Sequence, residues 1–118
     1  MINNLQYAEK YIIMAEININ EQDTIFKGHF PGKPIMPGVC LINMLTDVLS
    51  ESKKSRYSLV SADFVKFITP LQPFITNKVT IRIVTRLETE NRIKAEASIF
   101  FENVIFLKFK GCFEALKR

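Results

Sequence analysis

The chain has one histidine, His29, and no grouping of His, Cys, Asp and Glu has the spacing of a metal site. We therefore expect no metal. The glycines form no phosphate-cradling loop, because the stretch that holds most of them lacks the Lys-Ser/Thr ending such loops need; no cofactor is expected either. Two cysteines, Cys40 and Cys112, are too few for a disulfide scaffold. No apolar run approaches the roughly 20 residues of a membrane span. Met1-Ile2-Asn3-Asn4 lacks the basic-then-apolar layout of a secretion signal. Together these absences predict a cytoplasmic protein with no membrane span. Acidic residues are also the minority, 12 against 16 Lys and Arg, for a net charge of +4. The bases are spread from Lys10 to Arg118. Their densest patch, Lys53-Lys54-Ser55-Arg56, reads as a solvated loop after a helix. That distribution argues against nucleic acid and suits an acidic protein partner.

What is present is a core: 47% of the 118 residues are hydrophobic, enough for one domain spanning residues 1–118. Ile-rich Tyr11 to Ile19 reads as a strand and Thr24 to Phe30 as a shorter one. Three of the four glycines and three of the five prolines then fall between Gly28 and Gly38. Neither helix nor strand tolerates that mixture, so the backbone must follow a fixed irregular path. A helix is predicted from Pro37 to Ser52, with proline suited to its first position. It is apolar over most of its surface and should be buried, with Asn43, Asp47 and Glu51 on one polar stripe.

Four strands should follow, at Ser58–Ile68, Asn77–Leu87, Arg92–Phe101 and Val104–Glu114. Val79, Ile81 and Ile83 alternate with Thr80 and Arg82, and Ile105, Leu107 and Phe109 alternate with Phe106, Lys108 and Lys110. A period of two marks strands with one buried face. Glu102-Asn103 reads as a tight hairpin turn. The order is two strands, a buried helix and an antiparallel meander. It predicts an α+β fold, a curved antiparallel sheet wrapped around one central helix.

The string Gly28-His29-Phe30-Pro31-Gly32-Lys33-Pro34-Ile35-Met36-Pro37-Gly38, flanked by Phe26 and Val39, resembles the β-hydroxyacyl-acyl-carrier-protein dehydratases. A weaker echo lies in Phe67-Ile68-Thr69-Pro70-Leu71-Gln72-Pro73, although Phe74-Ile75 stands where the family usually has Gly-Asp. The resemblance implies the hot-dog fold and a protein acting on or binding acyl thioesters in fatty-acid, lipid or polyene synthesis. It also implies an acyl-carrier-protein partner bearing a 4'-phosphopantetheine-linked acyl chain. The site would form between two subunits, in a homodimer or higher oligomer or in a heterodimer with an active homologue. His29 matches the family's base, and Gly38, followed by Val39, its thioester-binding glycine. Phe30, Pro31, Gly32, Pro34 and Pro37 shape the path between them.

Chemistry gives these residues the same tasks. Removing water from a 3-hydroxyacyl thioester needs a base for the α-proton, and imidazole titrates near neutral pH. Enolate charge on the thioester oxygen needs donors, which the free N–H groups of a helix start supply. The departing hydroxyl needs an acid, and here the chain departs from the pattern. The family has a carboxylate five residues after the glycine, where this chain has Asn43, and commonly glutamine one turn later, where it has Asp47. Asparagine can hold the hydroxyl or a water but cannot deliver a proton.

Three readings follow: a dehydratase using Asp47, directly or through water or Asn43; a weakly active or inactive binding subunit paired with an active homologue; or a hot-dog thioesterase. The thioesterase fits least, since such relatives tend to lack the long Gly-His-Phe-Pro-Gly string. Asn43 and Asp47 would also be accounted for as mere polar-stripe residues, and Cys40 as ordinary packing at the helix start.

Overall fold

The computed structural model describes residues 2–9, 12–19, 35–73, 75–87, 89 and 91–116. Six strands and one helix follow in the order β1 (Ile2–Glu9), β2 (Ile12–Asn18), α1 (Gly38–Lys53), β3 (Tyr57–Phe67), β4 (Lys78–Leu87), β5 (Arg92–Phe101) and β6 (Val104–Ala115). They form one antiparallel sheet in the spatial order β1-β2-β4-β5-β6-β3, with the helix against one face. This is the hot-dog architecture that the pattern predicts.

The alternation read in the sequence sets which face is covered. Val79, Ile81, Ile83 and Thr85 of β4 are buried, and their register partners Ile13, Ala15 and Ile17 on β2 are buried with them. Ile93, Ala95 and Ile99 of β5 and Leu107, Phe109 and Phe113 of β6 complete this floor. Leu41, Met44, Leu45, Val48, Leu49 and Ser52 recur at helical spacing and press onto it. Phe109 and Phe113 lie 5.7 Å apart, tilted by 44°, a pairing worth about 0.5–1.5 kcal/mol beyond its area. Ion pairs on the exposed face, among them Lys78–Glu16, Arg92–Glu114 and Lys110–Glu96 at 3.6–3.8 Å, each contribute about 0–1 kcal/mol. Burial therefore holds the fold, and these pairs decorate it.

The helix has a different kind of cap at each end. Pro37 is the N-cap, extended at φ −60° and ψ 145°, and so lies one position before the first helical residue. Lys54 closes the other end in the left-handed region at φ 55°, its N–H bonding to the Glu51 carbonyl at 3.2 Å while Ser55 N–H reaches Ser50 O at 3.1 Å. The Ser50 hydroxyl then accepts the Tyr57 N–H at 3.0 Å, which starts β3 beside the helix end.

The structure corrects the strand plan in two places. Ile2–Glu9 is a strand, β1, that the hydrophobic pattern did not announce. The last four strands are not one meander: β4, β5 and β6 are successive hairpins, but β3 crosses to the far side of β6 and forms an edge. The expected strand Thr24–Phe30 lies outside the described residues. Phe106 also breaks the alternation, being buried beside Leu107 near the register shift at Ile99 and Phe100.

Strand β3 carries two register shifts, between Leu59 and Ser61 and between Ala62 and Phe64. They bring its backbone close to Gly111 on β6. A Cβ there would stand 2.5 Å from the Ser61 carbonyl oxygen and 2.7 Å from the Phe109 ring, so only glycine fits this crossing.

Candidate functional site

The start of α1 opens onto an apolar cavity of about 390 Å³, walled by Ile35, Met36, Gly38 and Leu41 on one side and by Phe67 through Leu71 on the other. The Met36 N–H bonds to the Leu71 carbonyl at 2.9 Å, which fastens the two walls together. Two facts meet at the mouth. Among the described residues no side chain caps the helix start, and the first intrahelical donor is Cys40, whose N–H reaches the Pro37 carbonyl at 3.0 Å. Helical geometry leaves the N–H groups of Gly38 and Val39 without an intrahelical acceptor. No acidic residue occupies the first turn to compete for them. The site thus offers backbone donors at the positive end of a helix beside a hydrocarbon-lined space, the arrangement that stabilises an oxyanion on an acyl group.

Gly38 lets the Phe67 ring close over the helix start, and a larger residue would have to push that ring aside. A Cβ would come within 2.6 Å of the Phe67 ring, which lies directly over the glycine. Phe67 and Ile68 are themselves about half exposed, at 54% and 47%. Sequence reasoning noted the stretch from Phe67 to Pro73 but assigned it no task. Of its two prolines, Pro70 lines the cavity opposite the helix start.

Asn43 and Asp47 fall elsewhere. They share an exposed stripe of α1 with Val39, which is 64% exposed, and neither lines the cavity. Five residues beyond Gly38, Asn43 is about 7.5 Å further along the axis and turned well away from the cavity side. Within one protomer the cavity therefore has its helix N–H groups but neither of the two polar side chains. Cys40 is half-buried against the core, as ordinary packing requires. His29, Phe30, Pro31, Gly32 and Pro34 lie outside the described residues. No cluster of His, Cys, Asp and Glu among the described residues could hold a metal. No helix of the structure is long and apolar enough to cross a membrane.

The ApeI-like family model, described as ApeI dehydratase, matches residues 5–110. The 3-hydroxyacyl-[acyl-carrier-protein] dehydratase FabZ of Lactobacillus helveticus (strain DPC 4571) is 28% identical over 105 residues, covering 83% of this chain and 70% of that protein. The corresponding FabZ of Ehrlichia chaffeensis (strain ATCC CRL-10679 / Arkansas) is 30% identical over 92 residues, covering 74% and 64%.

Among solved structures, the dehydratase heterocomplex ApeI:P from Xenorhabdus doucetiae superposes with a TM-score of 0.74 at 20% identity, over 99% of this chain and 97% of that one. A structure described as a putative thioesterase, yhdA from Lactococcus lactis, reaches 0.73 at 10% identity, over 99% and 93%. At those identities the two structures speak to the fold alone.

Proposed function

The chain belongs to the ApeI-like dehydratase family, and from that premise we propose that it acts on 3-hydroxyacyl thioesters carried by an acyl carrier protein. The observation that carries the reading is the uncapped helix start at Gly38, set at the mouth of an apolar cavity. The acyl chain would enter the cavity, and the thioester oxygen would accept from the Gly38 and Val39 N–H groups. His29 would remove the α-proton. The electron pair would move onto the carbonyl as an enolate held by those N–H groups, then return to form the double bond as the 3-hydroxyl leaves as water. The proton for that water must come from an acid. Asp47, directly or through a water or Asn43, is the candidate for that step.

A second reading has its own support. Asn43 cannot deliver a proton, and both it and Asp47 lie outside the cavity of their own protomer. A binding subunit paired with an active homologue would need neither. Mass-spectrometric dehydration assays on short and long 3-hydroxyacyl carrier-protein thioesters separate the two. Product from the chain alone supports the enzyme, and product only when a homologue is added supports the binding subunit. Failure of either preparation to bind or convert any of these thioesters would overturn the proposal.

Assembly follows from the same geometry. Strand β3 ends the sheet and exposes Leu59, Val60, Phe64 and Phe67. Among the described residues no strand pairs its outer side, and an edge of eleven residues with exposed apolar side chains is a template for another strand. We expect a two-fold dimer continuous across β3, in which a second chain completes the site next to the exposed helix stripe. Light scattering at micromolar concentration should give twice the chain mass, and a monomer would contradict this.

A further inference from the structure

The sheet face turned away from the helix is strongly basic. Residues paired directly across antiparallel strands share a face. One row across that outer face reads Arg82, Ser98, Lys108, Lys66 from β4 to β3. The next reads Val84, Glu96, Lys110, Phe64, and the third Arg86, Lys94, Cys112, Ser61.

With Lys78 and Arg92 the face of β2 to β6 holds eight bases against three register-paired acids, Glu16, Glu96 and Glu114, and Asp63, exposed in the β3 bulge between Ala62 and Phe64, adds a fourth acid, so bases outnumber acids two to one. Each of the three register-paired acids is already joined to one base, Lys78, Lys110 or Arg92. Among the described residues, Arg82, Arg86, Lys66 and Lys108 have no carboxylate at ion-pair distance. The register spreads the patch over roughly 14 by 13 Å.

We propose that this outer face docks on an anionic phospholipid surface. The bases are spread across a sheet and do not converge on a point. The depression between them, about 350 Å³ beside Phe64, Arg82 and Lys108, is shallow and open. That is the layout for a field of phosphates, not for one small anion. Phe64, 42% exposed, stands between two basic rows, where an aromatic ring can enter the headgroup layer.

An acidic carrier protein would match the charge but not the geometry. On the dehydratase reading it would deliver its acyl group to the Gly38 cavity, which is lined by the helix start and Phe67 to Leu71 and by no residue of this basic face other than those at its edge. Docked through the sheet, the protein would turn the helix side toward the solution. The basic face is read from strand register and charge, and the choice of lipid over a carrier protein rests on the dehydratase reading.

Co-sedimentation of the full chain with vesicles tests it. Binding to mixed phosphatidylglycerol–phosphatidylcholine vesicles, absence of binding to phosphatidylcholine alone, and loss in high salt are expected. Each base near a charged membrane is worth about fivefold in partitioning, so Arg82→Gln with Lys108→Gln should weaken binding about 30-fold. Lys53→Gln with Arg56→Gln removes equal charge at the helix end and should change it little. Circular dichroism checks that both variants fold. Equal losses in the two variants, binding to neutral vesicles, or tighter binding of an acidic carrier protein or duplex nucleic acid to the same residues would each overturn the proposal.

Discussion

His29→Ala should abolish dehydration of a 3-hydroxyacyl thioester, and the reverse hydration, while leaving the melting temperature nearly unchanged. The base takes the α-proton in one direction and returns it in the other, so a single deletion stops both. No other histidine exists to substitute for it. A positioned acid–base group typically accounts for about 10²–10⁴ in rate. Paired measurement of turnover and thermal denaturation checks the prediction. A variant that unfolds, or that keeps full activity, would leave His29 without a catalytic role.

Asn43→Glu should act in the opposite direction, raising activity by about one to three orders of magnitude. Asn43 is exposed on α1, so the longer carboxylate meets no packing barrier within the protomer. It would add the proton donor at a place where the chain has only an amide. Asp47→Asn is the complementary measurement. If Asp47 delivers the proton, its loss should cripple the native protein yet matter little beside Glu at 43, because two groups serving one step are not additive. If Asp47 is only a solvated stripe residue, Asp47→Asn should be silent in both backgrounds. A variant with Glu at 43 that binds substrate without converting it would favour the binding-subunit reading.

The helix and the three hairpin strands were legible because their burial is periodic. Leu41, Leu45, Val48 and Leu49 fall on one face of α1, and Val79, Ile81 and Ile83 on one face of β4. Strand β1 was not, since Asn3-Asn4-Leu5-Gln6-Tyr7 shows no clean period of two and is held in place by pairing with β2. The place of β3 was hidden for a different reason. Its own residues are mostly exposed, so they carry no inward pattern, and sequence neighbours suggest pairing with β4 when the partner is β6. Gly38 was found through its motif. Phe67 could not be recognised as the ring above it, because that contact joins two segments far apart along the chain.

The crossing of β3 to the far side of β6 also has a cost in time. Tyr57 pairs with Ala115 and Phe67 with Leu107, so β3 emerges from the ribosome before any of its neighbours in the sheet has been made. At about 5–20 residues per second the wait is on the order of seconds. Pairing of this non-local kind is also the slow part of folding for an isolated chain. During that interval Leu59, Val60 and Phe64 are open on both sides of a nascent strand, and another nascent copy is the neighbour best shaped to meet them. The local bond from Tyr57 N–H to the Ser50 hydroxyl gives β3 an early hold on the helix, and so limits how freely it can pair with the wrong chain.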